Sequence, residues 1–175
     1  MRLLHGPDEL RPVFAAADRS AFHLETRDDY VSESESESLS AFRADETIDP
    51  GGEWFSDWTN HVSATVAGGV AVRRARIVSE PHTLYTRYLL ALSRHNVAAG
   101  EDIRYLARHD ADPSDAITED FWLFDDRLVA FSLYDVRGVW VGAALTEEPV
   151  IVAHAVAIRD RVWSVARPFG EYTNL

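Results

Sequence analysis

A histidine, a glutamate and an arginine share one face of a short strand near the start of this chain. The alternation over residues 21–27 places His23, Glu25 and Arg27 together, with apolar residues on the opposite face. An imidazole beside a carboxylate can act as a general base, and a guanidinium can hold an anionic substrate. The polar face of this strand is therefore the first place where we expect function.

The His23-x-Glu25 spacing also matches the first two ligands of a two-histidine, one-carboxylate iron site. A third ligand would have to come from His82, His95 or His154. The usual scaffold of such sites is an all-β barrel, whereas this chain alternates helical and strand patterns. We predict no metal and expect His23 to be hydrogen-bonded or on the surface.

A second polar pattern lies in the β-branched run of residues 70–79. Its alternation places Arg74 and Arg76 on the same face as three valines, so both guanidinium groups should lie at a packed layer and need acceptors. We expect an ion-pair network with carboxylates such as Glu25 or Asp125. The alternative is a pocket that binds a small anion.

Two aspartates bracket an aromatic strand that includes Trp122. Asp120 and Asp125 are five residues apart, so they lie on opposite faces and cannot form a simple acid–base pair. Asp125 follows the strand, a position typical both of active-site carboxylates and of aspartates that begin turns. The candidate catalytic residues are His23, Glu25 and Asp125, and the candidate ligand-binding residues are Arg27, Arg74, Arg76, Glu80, Tyr85 and Trp122.

Composition restricts the chemistry further. The chain has no lysine and no cysteine, which excludes Schiff-base catalysis, a pyridoxal anchor and a thiolate nucleophile. We predict no cofactor. The net charge of −12 opposes direct binding of DNA or RNA. The apolar runs are too short to span a membrane, and we expect a cytoplasmic protein.

The elements that must position these residues form one predicted domain over residues 1–175, with a mixed α/β fold. We expect a mixed sheet of about five to six strands flanked by helices, in which a three-strand antiparallel meander precedes a long final helix. A mobile acidic loop is predicted at about 31–40. Predicted helices are at about 7–17, 53–67, 82–97 and 147–166, and further strands are at 70–79, 102–107, 120–124, 128–134 and 139–145.

Several of these segments resemble the domain-of-unknown-function family 6879. The matching pieces are Arg19-Ser20, His23-Leu24-Glu25-x-Arg27-Asp28-x-Tyr30, Val72–Pro81 with Tyr85, Asn96 with Gly100-Glu101, and Asp120–Asp125. The resemblance implies a small bacterial protein with no established activity, often encoded beside helix-turn-helix regulators. The element order also loosely resembles half of a phospholipase D-like domain, whose His-x-Lys pair is impossible without lysine and would leave a catalytically inactive version.

Two hypotheses follow. The first is a non-enzymatic regulatory module that partners a helix-turn-helix regulator and binds a small anionic ligand. The alternative is an enzyme of unknown reaction, in which His23 is the general base and arginines hold an anionic substrate.

Overall fold

The structure is a computed structural model that describes residues 1–173, with residues 7 and 8 described by their backbone alone. The strands are β1 (Arg2–Leu4), β2 (Ser20–Glu25), β3 (Ala71–Val78), β4 (Asp102–Ala107), β5 (Phe121–Phe124), β6 (Leu128–Tyr134), β7 (Trp140–Thr146) and β8 (Arg167–Pro168). The helices are α1 (Pro7–Ala15), α2 (Ser36–Ala44), α3 (Glu53–Ala67), α4 (Leu84–Ala98), α5 (Pro149–Val165) and α6 (Phe169–Tyr172).

All these strands join one mixed sheet in the order β1-β7-β6-β5-β2-β3-β4-β8. The three central strands β2, β3 and β4 pair in parallel, and β5, β6 and β7 form the predicted antiparallel meander. The mixed α/β class is confirmed. The sheet has more strands than the five or six predicted, because the short strands β1 and β8 extend its two edges and carry no periodicity that sequence reasoning could read.

The prediction of a loop over residues 31–40 is wrong for its second half, because α2 begins at Ser36. Two apolar residues follow the Ser-Glu repeat. Leu39 and Phe42 are three residues apart and lie on one helical face, where Phe42 is buried against α4. Tertiary packing of that face stabilises a helix that the charged residues alone would not predict.

Most other boundaries agree closely with the sequence. The helix predicted at 53–67 and the strand predicted at 102–107 have those bounds in the structure. The long helix α5 begins at Pro149, a residue suited to the first turn because no backbone hydrogen-bond donor is needed there. It buries residues at helical spacing, namely Val152, Ala155, Ile158 and Val162.

The two faces of the sheet pack against different helices. Alternate residues such as Leu24, Ala75 and Ile77 form a core with α5 on one face. On the other face, Phe14 of α1 and Trp58 of α3 pack against strand residues. The helices on this second face stand away from the central strands and leave a cavity over the sheet.

Candidate functional site

The cavity has a volume of about 570 Å³ and lies between the sheet, the helices α1, α3 and α4, and residues 30–35. We call it the aromatic cavity, because its lining includes Phe14, Tyr30, Trp54, Phe55, Trp58, Tyr85, Trp122, Tyr134 and Trp140. Four of the chain's five tryptophans therefore lie on it. Its size is typical of sites for small molecules.

Two neighbouring parallel strands form the polar floor of the cavity. The register pairs His23 with Arg74 and Glu25 with Arg76, so one face of β2 and β3 presents four polar side chains in a block. Each of the four residues is less than 9% exposed. The strand alternation predicted this grouping, since it placed both polar pairs on a common face of each strand.

Glu25 connects the two arginines. One of its carboxylate oxygens accepts from Nη1 of Arg74, and the other accepts from Nε of Arg76. Arg74 also donates from Nε to Oε1 of Glu101 at 2.7 Å, and Nδ2 of Asn96 donates to Oε2 of Glu101 at 2.6 Å. We call Glu25, Arg74, Arg76 and Glu101 the arginine cluster. Two buried guanidinium groups are thus compensated by two buried carboxylates.

Arg76 is held by neutral acceptors as well. Its Nη1 donates to Oγ of Ser93 at 2.8 Å and to the hydroxyl of Tyr105 at 2.9 Å. The guanidinium of Arg74 lies 5.5 Å from the ring centre of Trp58 and 5.7 Å from that of Trp122. Among residues 1–173, Nη2 of Arg74 and Nη2 of Arg76 have no hydrogen-bond partner.

His23 is stacked and not hydrogen-bonded, contrary to the sequence-based expectation. Its ring lies 4.2 Å from that of Trp122, with an angle of 11° between the planes. Nδ1 is 3.4 Å from a carboxylate oxygen of Glu25, but neither ring nitrogen makes a hydrogen bond within the described part of the chain. Strand pairing fixes this position, because His23 and Trp122 are partners in the β2–β5 register.

The two titratable groups of the floor keep fixed protonation states at neutral pH. Burial, assisted by the two arginines, lowers the pKa of His23 to about 3, although Glu25 acts in the opposite direction. Burial alone would raise the pKa of Glu25, but Arg74 and Arg76 outweigh it and hold that pKa far below its usual value. The floor therefore presents a neutral imidazole and a paired carboxylate.

A second buried carboxylate orders the tyrosines of the wall. Asp120 accepts from the hydroxyl of Tyr30 at 2.6 Å, from the hydroxyl of Tyr134 at 3.0 Å and from the backbone N–H of Thr26 at 2.7 Å. Burial raises the pKa of Asp120, and the hydrogen bonds from Tyr30 and Thr26 partly offset the effect. Asp120 thus fixes two aromatic rings of the cavity from behind, a role that its strand position did not reveal.

Residues 30–35 close one side of the cavity and are attached at several points. The N–H of Val31 donates to the carbonyl of Gly138 at 3.1 Å, and the hydroxyl of Tyr85 donates to Glu35 at 2.7 Å. Burial raises the pKa of Glu35, while the hydrogen bond from Tyr85 lowers it. The acidic segment is therefore part of the cavity wall.

Six of the nine candidate residues meet in this site, and three do not. His23, Glu25, Arg74, Arg76, Tyr85 and Trp122 line the cavity, whereas Arg27, Glu80 and Asp125 do not. The strand ends at Glu25, so Arg27 lies beyond the shared face, with its guanidinium 4.3 Å from the ring centre of Tyr134. The exposed Glu80 accepts from the hydroxyl of Tyr172 at 2.6 Å.

Asp125 binds backbone N–H groups outside the cavity. The expectation that it pairs with Arg74 or Arg76 is therefore wrong. Its carboxylate accepts from the backbone N–H groups of Asp18, Arg19 and Ser20, each at 2.8 Å. Since β2 and β5 are antiparallel, Asp125 lies beside the start of β2, whereas Glu25 is at its end. The actual second partner is Glu101, which lies just before β4, where no strand alternation marks it.

The three histidines considered as third metal ligands lie elsewhere. His82 is hydrogen-bonded to the carbonyl of Ser79 at 3.2 Å, His95 to Asp49 at 2.6 Å, and His154 is exposed on α5. Within residues 1–173, no three histidine, cysteine, aspartate or glutamate side chains are grouped so that they could hold a metal ion.

Sequence reasoning missed several wall residues. Trp54 and Trp58 are spaced like core residues of a helix, and their periodicity contains no signal that separates a cavity wall from a filled core. Glu35 lies in the segment predicted to be a mobile loop, and Tyr30 directly precedes that segment. Tyr30 and Glu101 lie in segments that resemble the domain-of-unknown-function family 6879, but no sequence pattern indicates a role for either residue.

The fold and the cavity define a mixed α/β protein with a buried polar floor under an aromatic wall. The chain belongs to the family described as domain of unknown function (DUF6879), whose model matches residues 8–174. No curated protein matches the chain in sequence.

A solved structure has a similar fold. It is described as "Structure of TrmBL2, an archaeal chromatin protein, shows a novel mode of DNA binding", and it is similar with a TM-score of 0.52 and 12% sequence identity. The match covers 95% of this chain and 53% of that chain, so this chain spans about half the length of the archaeal protein. Among residues 1–173, no helix is long and apolar enough to cross a membrane.

Proposed function

We propose that this chain is a non-enzymatic regulatory module that binds a small molecule in the aromatic cavity and acts through a DNA-binding regulator. The proposal rests on the ion pairs among the charged side chains of the cavity floor. Glu25 is shared by Arg74 and Arg76, and Glu101 completes the compensation. Such a network holds side chains in fixed positions, as a binding site requires.

The same floor argues against the enzyme alternative. A general base works best when its pKa is near the working pH, whereas burial lowers the pKa of His23 to about 3. At neutral pH such an imidazole is a weak proton acceptor. Glu25 is an even weaker base, because two guanidinium groups stabilise its charge. The neutral imidazole can still offer one donor and one acceptor to a ligand.

A partner that contacts DNA is supported by two observations. TrmBL2, whose fold is similar over about half of its length, is described as binding DNA, so a fold of this kind occurs in a protein that acts on DNA. The net charge of −12 would repel a phosphate backbone but would favour association with a basic protein. We therefore expect the regulator, and not this chain, to contact DNA.

The test is an association measurement between the purified chain and any helix-turn-helix regulator that its source genome encodes next to it. Isothermal titration calorimetry should detect a complex at micromolar concentrations, and the affinity should fall as salt is raised because opposite charges meet. A gel-shift assay of this chain alone should leave DNA unshifted. Absence of a complex, or a DNA shift by the chain alone, would overturn the regulatory part of the proposal.

A matched pair of variants tests the enzyme alternative. If His23 were a catalytic base, His23→Gln would abolish a turnover on an anionic substrate while the fold remained intact. His61→Gln is the control, because His61 also lines the cavity but lies on α3, whereas His23 is paired with Arg74 in the sheet. A turnover lost only in His23→Gln would replace the regulatory proposal by the enzymatic one.

A further inference from the structure

We infer that the aromatic cavity binds a small planar aromatic acid, with its rings among the tryptophan and tyrosine side chains and its single carboxylate on Arg74 and Arg76. The inference rests on the proposed function, since it assumes that a small molecule occupies this cavity. It narrows that ligand to one chemical class by its shape, its polar edge and its charge.

The aromatic side chains that line the cavity favour a planar ligand. Tyr30 lies 5.9 Å from Tyr85 and 5.6 Å from Tyr134, and Trp58 lies 6.0 Å from Trp122, measured between ring centres. These rings already contact one another, so they form a continuous aromatic surface on which a flat π-system gains stacked or edge-to-face contacts. A volume of about 570 Å³ accommodates one or two fused rings with short substituents. A flexible aliphatic ligand would gain no comparable ring contacts.

Unpartnered hydrogen-bond donors on the cavity floor favour a ligand with an acidic group at one edge. Arg74 and Arg76 both line the cavity, and the Nη2 group of each has no hydrogen-bond partner among residues 1–173. His23, 8% exposed, also lines the cavity with both ring nitrogens unpartnered in the described chain. Guanidinium groups two residues apart on the same face of β3 suit the two oxygens of a carboxylate.

The charges of the arginine cluster disfavour two other classes of ligand, polyphosphates and cations. A polyphosphate would bring several negative charges to a cluster whose two arginines are already compensated by Glu25 and Glu101. A cationic ligand on the rings of Trp58 or Trp122 would be repelled by the Arg74 guanidinium, which already lies near both. One carboxylate adds the least charge while satisfying the free donors.

Calorimetric titration of the full chain with four related probes tests each part of the inference. The probes are 1-naphthoate, cyclohexanecarboxylate, 1-naphthylmethanol and a 1-naphthyl trimethylammonium salt. We expect 1-naphthoate to bind with the lowest Kd, and the non-aromatic acid to bind about tenfold more weakly because it loses the ring contacts. The neutral alcohol should also bind about tenfold more weakly, since it loses the charge-assisted hydrogen bonds. The cation should bind most weakly.

Two matched tryptophan variants locate the binding. Trp54→Leu changes a half-buried wall residue and should weaken 1-naphthoate binding about tenfold. Trp163→Leu is the control, because Trp163 packs against the core on the opposite face of the sheet. Its Kd should equal that of the unmodified chain. Circular dichroism of both variants verifies that each remains folded.

Each result decides the inference. Equal affinity for cyclohexanecarboxylate overturns the aromatic part, and equal or tighter binding of the alcohol or the cation overturns the carboxylate part. No binding of 1-naphthoate at millimolar concentration, or equal weakening by both tryptophan variants, overturns the whole inference. The association test with the regulator uses none of these probes, so failure of the ligand class is distinguishable from failure of the regulatory role.

Discussion

The two faces of the same central strands have opposite chemistry. On one face of β3, Ala75 and Ile77 are completely buried in an aliphatic core with α5. On the other face, Arg74 and Arg76 are buried as charged groups beneath an aromatic wall. The aliphatic face is stabilised by any well-packed neighbour, whereas the charged face is stable only with particular partners at particular atoms. Specific partners are what a binding site needs.

The largest expected effect comes from removing the shared carboxylate. Glu25→Gln leaves Arg76 without its ionic partner and Arg74 with only Glu101, so uncompensated positive charge remains buried. We expect the free energy of unfolding to fall by about 3–5 kcal/mol, as measured by urea denaturation.

Glu46→Gln is the control for this variant. Glu46 receives two hydrogen bonds from Arg87, at 2.7 and 2.8 Å, but this ion pair is exposed to solvent. Its removal should change stability little, because water replaces the lost partner. An equal effect of the two substitutions would show that burial does not distinguish the charged face.

The second largest expected effect is a pH dependence of the free energy of unfolding that comes from His23 on the cavity face. His23 has a pKa of about 3 in the folded chain and about 6.5 when unfolded, so acidification protonates only the unfolded state. The free energy of unfolding should fall by up to about 1.4 kcal/mol per pH unit as pH is lowered from 6.5 to 5. His23→Phe should remove this contribution.

The comparison between variant and unmodified chain isolates His23 from other groups. Glu35 and Asp120 have raised pKa values, so their protonation favours the folded chain as pH falls. Glu25 has a lowered pKa, and its contribution is lost only below the unfolded pKa of about 4.5. The pKa of His61 is also lowered by burial, so His61→Phe should remove a contribution of the same sign, and we expect this contribution to be smaller than that of His23. An unchanged slope in His23→Phe would contradict the prediction.

The smallest effect is expected on the aliphatic face. Ile77→Val removes one buried methylene group and should lower the free energy of unfolding by about 0.5–1.5 kcal/mol. The loss should be the same at pH 5 and pH 7, since no titratable group is involved. Chemical denaturation at both pH values measures it. A pH-dependent loss, or altered binding of 1-naphthoate, would show that the two faces are coupled.

The candidate site was partly predictable because alternation along a strand is a local property. It placed His23 with Glu25 and Arg74 with Arg76, and it required acceptors for both guanidinium groups, one of which is Glu25. The role of Asp125 was not predictable in the same way. A carboxylate after a strand is equally suited to a site and to a turn, and only the antiparallel register of β5 places it away from the arginines.

The fold shows the same division. The helix at 53–67 has periodicity strong enough to be read directly, the meander is marked by its two connecting turns, and α5 is marked by Pro149 in its first turn. The edge strands β1 and β8 are too short for any period to appear. In α2, Leu39 and Phe42 were a weak helical signal within an acidic repeat, and contact with α4 decided the outcome.

By itself, the sequence determined which side chains share a face, since the periods of strands and helices are set by local backbone geometry. It also excluded lysine and cysteine chemistry, because neither residue is present. The tertiary structure decided which faces meet. It brought Glu101 to Arg74 and Tyr30 to Asp120, and it kept the helices far enough from β2 and β3 to leave a cavity. These contacts depend on strand order and helix packing between distant segments, which no local pattern encodes.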